Sequence, residues 1–275
     1  RVASRGLGDV YKRQLLTYQD YPVKAAQRAT EGRRPLGVGI INLAFWMAKN
    51  GMTYSQPDLE MIDTFAEAWS YYLIKASADL AEEQGACLWS NETKYHEGLT
   101  PNQTYKQDVD ELVAHKERMP WRELRDQLKR TGIRNSTLMA LMPAETSAQI
   151  SNATNGIEPP RSLVSVKQSK HGVLKQVVPS IHKLKNKYEL LWDQRSPEGY
   201  LSIMAVLQKY IDQGISVNTS YNPVFYEDEK IGMSEMLRHL MIFYKYGGKQ
   251  LYYFNTYDGQ GELDIDKLNE SSNIT

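Results

Sequence analysis

An apolar run that ends abruptly at a proline is the feature that most restricts the fold of this 275-residue chain. Residues 138–142 read LMALM, Pro143 follows, and small hydroxyl and amide side chains dominate the next residues as far as Gly156. Proline cannot continue a regular element, and it disfavours helix in the residue before it. The pattern therefore predicts a buried strand, a tight turn and a new polar helix, as in folds that alternate strands with helices.

The start of this predicted helix is a candidate anion-binding site. The first amide groups of a helix have no partner within the helix, and the helix dipole places partial positive charge at the same end. Glu145 lies in the turn, where it could accept a hydrogen bond from a substrate hydroxyl or cap the first helical turn. From the residues alone, an ordinary strand–turn–helix unit with a Thr or Ser cap stays open as the simpler interpretation.

Helical and strand patterns alternate along the rest of the chain. Apolar residues recur at three-to-four spacing over residues 58–84, which predicts a long amphipathic helix with Gly85 at its C-terminal cap. This alternation indicates an α/β fold with mainly parallel strands. The shorter elements are predicted as helices at residues 43–49, 108–118, 121–130, 182–191, 199–213 and 233–246, and as strands at 163–167, 216–220 and 251–256.

Charge and cysteine content exclude several classes of protein. Lys and Arg total 33, and Asp and Glu also total 33, so no net charge favours nucleic acid or an anionic membrane. No apolar run approaches the roughly 18 residues of a membrane span. The single cysteine, Cys87, excludes an internal disulfide framework, and its apolar neighbours indicate a structural thiol. We expect a cytoplasmic protein with no metal site, since the five histidines are scattered.

The two ends of the chain are predicted to lie outside the folded part, residues 15–257. Residues 1–14 lack apolar periodicity and resemble the non-native peptide that adapter read-through leaves on translated sequence reads. A genuine basic arm is the alternative, because this segment contains Arg1, Arg5, Lys12 and Arg13. Residues 258–275 are acidic and polar, which predicts a disordered tail.

Two consecutive tyrosines, Tyr252 and Tyr253, stand in the last predicted strand. Side chains alternate between the faces of a strand, so two core-facing tyrosines in a row would be unusual. Stacked phenols can relay an oxidising equivalent through the coupled loss of an electron and a proton. The residues alone favour the simpler interpretation, which is that aromatic side chains are common in strands.

Several of these segments, in the same order, resemble the large, catalytic subunit of class I ribonucleotide reductase. The resemblance covers residues 15–260 and is most specific in one long motif. It implies the C-terminal part of a ten-stranded α/β barrel, in an enzyme that reduces ribonucleoside diphosphates to deoxyribonucleoside diphosphates by thiyl-radical chemistry. The motifs are PAETSAQISNATNGIEPPR at residues 143–161, NSTL at 135–138, GRRPLGVG at 32–39, EQGAC at 83–87 and LYYFNT at 251–256.

The resemblance also implies roles for the two candidate sites. Tyr252 and Tyr253 would carry the radical from a small β subunit, which holds a di-iron centre and a tyrosyl radical. The full-length protein would form a homodimer, use thioredoxin or glutaredoxin as reductant, and bind ATP and deoxynucleotide effectors in regions outside this sequence. The substrate diphosphate would be held, through backbone amides and hydroxyls, by Ala144, Glu145, Thr146 and Ser147.

The chain departs from the family in its cysteines. With Cys87 alone, at the Gly-Ala-Cys position, it cannot contain the family's thiyl-radical cysteine and its redox-active pair. The ATP-binding regulatory domain and the cysteine-pair tail also have no counterpart in this sequence. We therefore expect an enzyme fragment that is inactive alone. Two alternatives stay open: a related radical enzyme without a tyrosyl-radical partner, and a non-catalytic nucleotide-binding or interaction module.

Overall fold

The computed structural model describes residues 16, 18–169 and 172–259. The predictions for residues 1–14 and for the tail from residue 260 onward therefore lie outside the described residues. None of the described helices combines the length and apolar character needed to cross a bilayer. The regular elements are the helices α1 (Lys24–Arg33), α2 (Leu43–Lys49), α3 (Leu59–Gln84), α4 (Trp121–Thr131), α5 (Glu145–Ile150), α6 (Ile181–Leu184), α7 (Glu198–Gln208) and α8 (Met233–Lys245), and the strands β1 (Val164–Ser169), β2 (Gly172–Val177), β3 (Val217–Tyr221) and β4 (Leu251–Thr256).

The strands combine parallel and antiparallel pairing. β1 and β2 form an antiparallel hairpin, whereas β3 and β4 pair in parallel. Two isolated parallel bridges join Val38 to Met139 and Leu141 to Ile215. Mixed helix-and-strand structure is thus present, but the strand pairings among the described residues do not close into a barrel. The ten-stranded barrel stays a prediction.

The chain divides into two compact units. The first comprises the residues up to 38, with 60–140 and 206–214, and the second comprises 39–59, 141–205 and the residues from 215 onward.

The long helix α3 organises the first unit, and its predicted extent is confirmed. Ile62, Ile74 and Ala78 are fully buried along one face, but this face is offset from the apolar stripe that the spacing predicts, since Met61 and Tyr72 are exposed. The edge of the Trp121 ring on α4 packs against Tyr71, with ring centroids 5.3 Å apart. The helix ends where expected, because the next residue, Gly85, has a positive φ of 84° that side-chain-bearing residues rarely adopt.

A buried carboxylate fixes the segment that leads into α4. Glu67 accepts hydrogen bonds from the backbone amides of Arg118 and Met119 at 2.6 and 3.0 Å, and from the Trp121 indole at 2.9 Å. The Arg118 guanidinium donates to Glu67 at 3.1 Å and to the buried Asp63 at 2.7 Å. Since a buried charge is tolerated only when it is paired and hydrogen-bonded, this network holds residues 116–121 in place.

In the second unit, a glycine allows two segments to approach closely. A Cβ atom on Gly199, in α7, would lie 2.1 Å from the carbonyl oxygen of Tyr54. Only glycine fits at this contact without backbone movement. The Tyr54 hydroxyl, in turn, donates to the Ile157 carbonyl at 2.9 Å and thereby fixes the chain just before Glu158.

Three predicted helices are shorter than the sequence pattern indicates. Residues 108–118 contain only the 3₁₀ turn Gln107–Glu111, because the later Arg118 amide binds Glu67 rather than a helical carbonyl. The predicted helix 182–191 stops at Leu184, and Glu189 accepts hydrogen bonds from the Ser55 amide and hydroxyl. α7 ends at Gln208, whose side-chain amide donates to the backbone carbonyls of residues 211 and 213. Tertiary contacts override local helix propensity at all three places.

His239 is a buried histidine on α8. Its ring stacks on Tyr221 with centroids 5.8 Å apart, and its Nδ1 lies 3.1 Å from the Tyr221 hydroxyl. Burial lowers the pKa of His239, and the charge of Arg238 lowers it further, against the opposing effect of Glu235 and Glu198. The neutral imidazole is therefore the form that this site stabilises.

We expect Glu67→Ala to lower the free energy of unfolding by about 3–5 kcal/mol, because it leaves buried donors and the Arg118 charge without their acceptor. Glu82→Ala is the matched control, since Glu82 forms an exposed ion pair with Arg130 and its loss should cost under about 1 kcal/mol. Urea unfolding of both variants provides the measurement. Equal losses would show that Glu67 does not have the proposed structural role.

We also expect stability to decline as the pH falls from about 7.5 to 5.5. The pKa of His239 in the folded state lies below its ordinary value of about 6.5. The unfolded state therefore binds a proton more readily than the folded state in this pH range. One such proton contributes a slope of at most about 1.4 kcal/mol per pH unit. Urea unfolding should show a shallower slope for His239→Gln, and an unchanged slope for the exposed control His96→Gln. An unaltered His239→Gln slope would contradict the assignment.

Candidate functional site

The helix predicted after Pro143 is present, but the strand predicted before it is reduced to an extended segment with isolated bridges at Met139 and Leu141. Leu141 bridges to Ile215, and its carbonyl accepts a hydrogen bond from the Ser216 amide at 2.8 Å. Helix α5 begins at Glu145, two residues after the proline. The expectation of a Thr or Ser cap is wrong, because the N-cap residue is Ala144 and no described side chain caps this helix. Only backbone groups and the first helical side chains thus form the start of α5.

A cleft of about 140 Å³ opens beside α5. Its walls are α5, the segment 153–162, the β1–β2 hairpin and Leu191. Among the four predicted phosphate-binding residues, only Glu145 lines this cleft, whereas the exposed Thr146 and Ser147 lie in the same helical turn outside its wall. The structure therefore places the predicted group at the edge of the cleft rather than within it.

The cleft wall offers polar groups that the sequence interpretation did not single out. The side-chain oxygen Oδ1 of Asn155 is buried and has no hydrogen-bond partner among the described residues. Asn42 holds Thr154 through two hydrogen bonds. The side-chain Oδ1 of Asn42 accepts from the backbone amide of Thr154 at 2.9 Å, and the backbone amide of Asn42 donates to the Thr154 carbonyl at 3.0 Å. Arg161 adds a positive charge to the lining, with its guanidinium 5.9 Å from the Trp192 ring centroid. The cleft can therefore accept and donate hydrogen bonds, and its charged lining consists of Arg161 with the carboxylates of Glu145 and Glu158.

A chain of hydrogen bonds leads from the cleft wall to β3 and β4. Asn155 Nδ2 donates to Glu158 at 3.3 Å, and Asn218 Nδ2 donates to the other Glu158 oxygen at 2.6 Å. Asn218 Oδ1 then accepts from the backbone amide of Tyr253 at 3.1 Å. Three side chains thus connect the cleft to the tyrosine pair.

Tyr252 and Tyr253 lie together on β4, and neither faces a core. Their side chains are 53% and 55% exposed, and their ring centroids are 4.3 Å apart at an angle of 58°. A hydrogen bond with Tyr252, and the charge of that phenol, raise the pKa of Tyr253. The pair is therefore accessible from outside, and the Tyr252 phenol affects the ionisation of Tyr253.

The single thiol lies in the first unit. Cys87 is buried, and burial raises its pKa, so the nucleophilic thiolate is disfavoured. This environment agrees with the structural thiol that its neighbours predict. Across the described residues, no group of three or more His, Cys, Asp or Glu side chains forms a metal-binding cluster.

Two polar residues of the connecting chain could have been recognised from sequence. The alternating burial of β3 places Val217, Thr219 and Tyr221 in the core, which leaves Asn218 and Ser220 on the other face of the strand. Glu158 precedes two prolines in the long motif, where an extended backbone presents its side chain. Their pairing with each other required the three-dimensional structure.

The chain is similar to known proteins over most of its length. The family model "Ribonucleotide reductase, barrel domain" matches residues 13–254. Ribonucleoside-diphosphate reductase 1 subunit alpha of Salmonella typhimurium is 53% identical over 91% of this chain and 33% of its own length. The subunit alpha of Haemophilus influenzae is 53% identical over 92% of the chain and 34% of its own length, and that of Enterobacteria phage T4 is 42% identical over 92% and 33%.

The chain spans about one third of the length of these curated relatives. The family match extends over most of its residues and includes both the α5 turn and the start of β4. The chain therefore belongs to the ribonucleotide reductase family, as part of the barrel domain of an alpha subunit of class I.

Proposed function

We propose that this chain is the part of a ribonucleoside-diphosphate reductase that binds the substrate diphosphate and passes a radical through Tyr252 and Tyr253. The observation that carries the proposal is the placement of the α5 start beside a polar cleft, which a hydrogen-bond chain joins to the tyrosine pair. The names of the relatives support the substrate class. In the full-length protein this chemistry would supply deoxyribonucleotides for DNA synthesis, within a ten-stranded barrel.

The diphosphate would bind at the start of α5. Backbone amides in the first turn of a helix attract anions, and the helix dipole adds to the attraction. The hydroxyls of Thr146 and Ser147 are exposed there and can donate to phosphate oxygens, while Ala144 leaves the approach open. Glu145 repels phosphate by its charge, so its role would be to accept a hydrogen bond from a substrate hydroxyl. Arg161 provides the compensating positive charge in the cleft.

The ribose would extend into the cleft. Asn155 Oδ1, a buried acceptor without a partner among the described residues, would receive a hydrogen bond from a sugar hydroxyl. Leaving such an oxygen unsatisfied costs about 1–3 kcal/mol, so a ligand that supplies the donor gains that amount on binding. This requirement favours a polyhydroxylated ligand over an inorganic anion alone.

The tyrosine pair would transfer an oxidising equivalent between neighbouring phenols. When one ring is a phenoxyl radical, the other phenol gives up one electron and one proton, and the first is restored to a phenol. Direct ring contact at 4.3 Å makes this exchange a short-range step. The oxidising equivalent would come from a small β subunit that holds the di-iron centre and the tyrosyl radical, and exposure of both rings leaves them open to such a partner.

The remaining assignments concern the full-length protein. They comprise a homodimer of large subunits, reduction by thioredoxin or glutaredoxin, ATP and deoxynucleotide effectors bound elsewhere, and a cytoplasmic location. A second function is favoured by one observation, namely that Cys87 is the sole cysteine. Without further thiols, this chain would act on its own as a nucleotide-binding module without turnover.

We expect the chain to bind CDP more tightly than cytidine, because only CDP offers charge to the α5 start. Removal of the hydroxyls in Thr146→Val with Ser147→Ala should weaken CDP binding by about tenfold or more, since a hydrogen bond to a charged group contributes about 1.5–3 kcal/mol. Isothermal titration calorimetry gives both affinities.

Ser151→Ala is the matched control for this experiment. Ser151 is an exposed serine at the opposite end of α5, where the helix dipole is negative, so its removal should leave CDP affinity unchanged. Equal affinity for cytidine and CDP, or equal effects of the two sets of substitutions, would exclude the proposed diphosphate site.

We further expect no conversion of CDP to dCDP by this chain when small subunit and reductant are supplied. The chemistry needs a thiyl-forming cysteine and a reducing pair, whereas the one thiol present is buried. Product chromatography after incubation measures the outcome, with the full-length Salmonella typhimurium relative as the positive control. Formation of dCDP above the level without protein would refute the expectation.

A further inference from the structure

The pairing of β3 with β4 contains an irregularity at the tyrosine pair. Val217 pairs with Leu251, but the next residue of β3, Asn218, pairs with Tyr253. Tyr252 is therefore an extra residue on β4, which defines a β-bulge. A bulge interrupts the strict alternation of side chains, so two consecutive residues can be directed to the same side of a strand. The close contact of the two phenol rings is consistent with this local geometry.

Side chains of β3 bind both backbone polar groups of Tyr253. Asn218 Oδ1 accepts from the Tyr253 amide at 3.1 Å, and the buried Thr219 hydroxyl donates to the Tyr253 carbonyl at 3.4 Å. A bulge locally disrupts the backbone ladder, and such side-chain bonds satisfy backbone groups at the disruption. These two contacts stabilise the shifted register, whereas a regular ladder would favour alternation.

The Asn218 amide has a single orientation that satisfies both of its neighbours. Its Nδ2 donates to the Glu158 carboxylate at 2.6 Å, and a carboxylate can only accept. Its oxygen therefore faces the Tyr253 amide, which can only donate. Glu158 thus fixes the direction in which Asn218 presents its acceptor.

We propose that Asn218 is a positioning residue that holds the bulge at Tyr252 and thereby keeps the two phenol rings in contact, with Glu158 orienting its amide. The role of this contact in radical transfer rests on the proposed function, whereas the geometric role of Asn218 does not. Since Glu158 also lines the cleft and accepts from Asn155, the same carboxylate joins the substrate-binding wall to the relay.

The quantity that tests this proposal is the change in the pKa of residue 253 that Tyr252→Phe causes. We call this change the coupling between the two phenols. 3,5-Difluorotyrosine placed at position 253 of the full 275-residue chain gives one ¹⁹F signal, and its pKa lies well below that of the other tyrosines. In the parent chain, Tyr252→Phe should lower this pKa, because the hydrogen bond with Tyr252 and its charge are removed. In the Asn218→Ala chain, the same Tyr252→Phe change should no longer alter it. No nucleotide or partner subunit is required.

Two further sets of variants separate positioning from general destabilisation. Asn222→Ala is the matched control, because Asn222 also accepts from a backbone amide and donates to a carbonyl, and it should leave the coupling intact. Asn218→Asp combined with Glu158→Gln reverses the donor and acceptor between the two side chains and keeps an acceptor facing Tyr253. This pair of changes should restore the coupling, which an unspecific packing defect would not allow.

The outcomes are distinct. Loss of the coupling in Asn218→Ala, with retention in Asn222→Ala and in the reversed pair, supports the proposal. Unchanged coupling in Asn218→Ala overturns it, as does loss in the reversed pair when circular dichroism shows a folded chain. If Asn218→Ala does not fold, Glu158→Leu provides the test, because it removes only the orienting carboxylate and should weaken the coupling. Failure of CDP binding would refute the proposed function and leave this result unaffected.

Discussion

The extended segment before the α5 turn depends on hydrogen bonds to the carboxylate of Asp212. It accepts hydrogen bonds from the backbone amides of Leu138 and Met139 at 2.7 and 2.9 Å, and from the Tyr95 hydroxyl at 2.8 Å. Successive amides of a regular strand point to opposite sides, so the two amides that both face Asp212 depart from regular strand geometry and cannot both bind one neighbouring strand. The two oxygens of the Asp212 side chain accept one hydrogen bond from each amide, and they thereby fix the position and direction of the extended segment where it begins.

Elsewhere, amide side chains connect segments where backbone pairing is absent or interrupted. The Asn42 side chain holds Thr154, and the Gln176 side chain donates to the Ala153 carbonyl at 2.8 Å. Asn218 binds the amide of Tyr253 in the same manner. Asn and Gln offer a donor and an acceptor on one planar group, so each can replace part of a backbone ladder. The candidate site is built largely from side-chain amides that take the place of backbone hydrogen bonds. This explains why short helices and strands are sufficient to hold it in place.

The elements with strong apolar periodicity were predictable, and those that depend on distant partners were not. α3 and α8 follow their apolar spacing, and β3 buries alternate residues, whereas β4 was predicted from its β-type residues although most of them are exposed. The β1–β2 hairpin was only half recognised, since the polar β2 sequence gains its structure from cross-strand pairing. At the site, the helix start was evident from Pro143, whereas the contacts of Glu158 and Asn218 join residues 60 positions apart. No local pattern encodes such a pair.

The crossover between β3 and β4 has a kinetic consequence. Residues 222–250, including α8, separate the two strands, and parallel pairing needs this loop to close before the first ladder contact forms. β4 has no template for its shifted register until β3 is beside it. The contact between the two phenol rings should therefore arise late in folding, after the helices have formed. Formation of the contact between Tyr252 and Tyr253 would then mark the pairing of β3 with β4, as the last step in the folding of this unit.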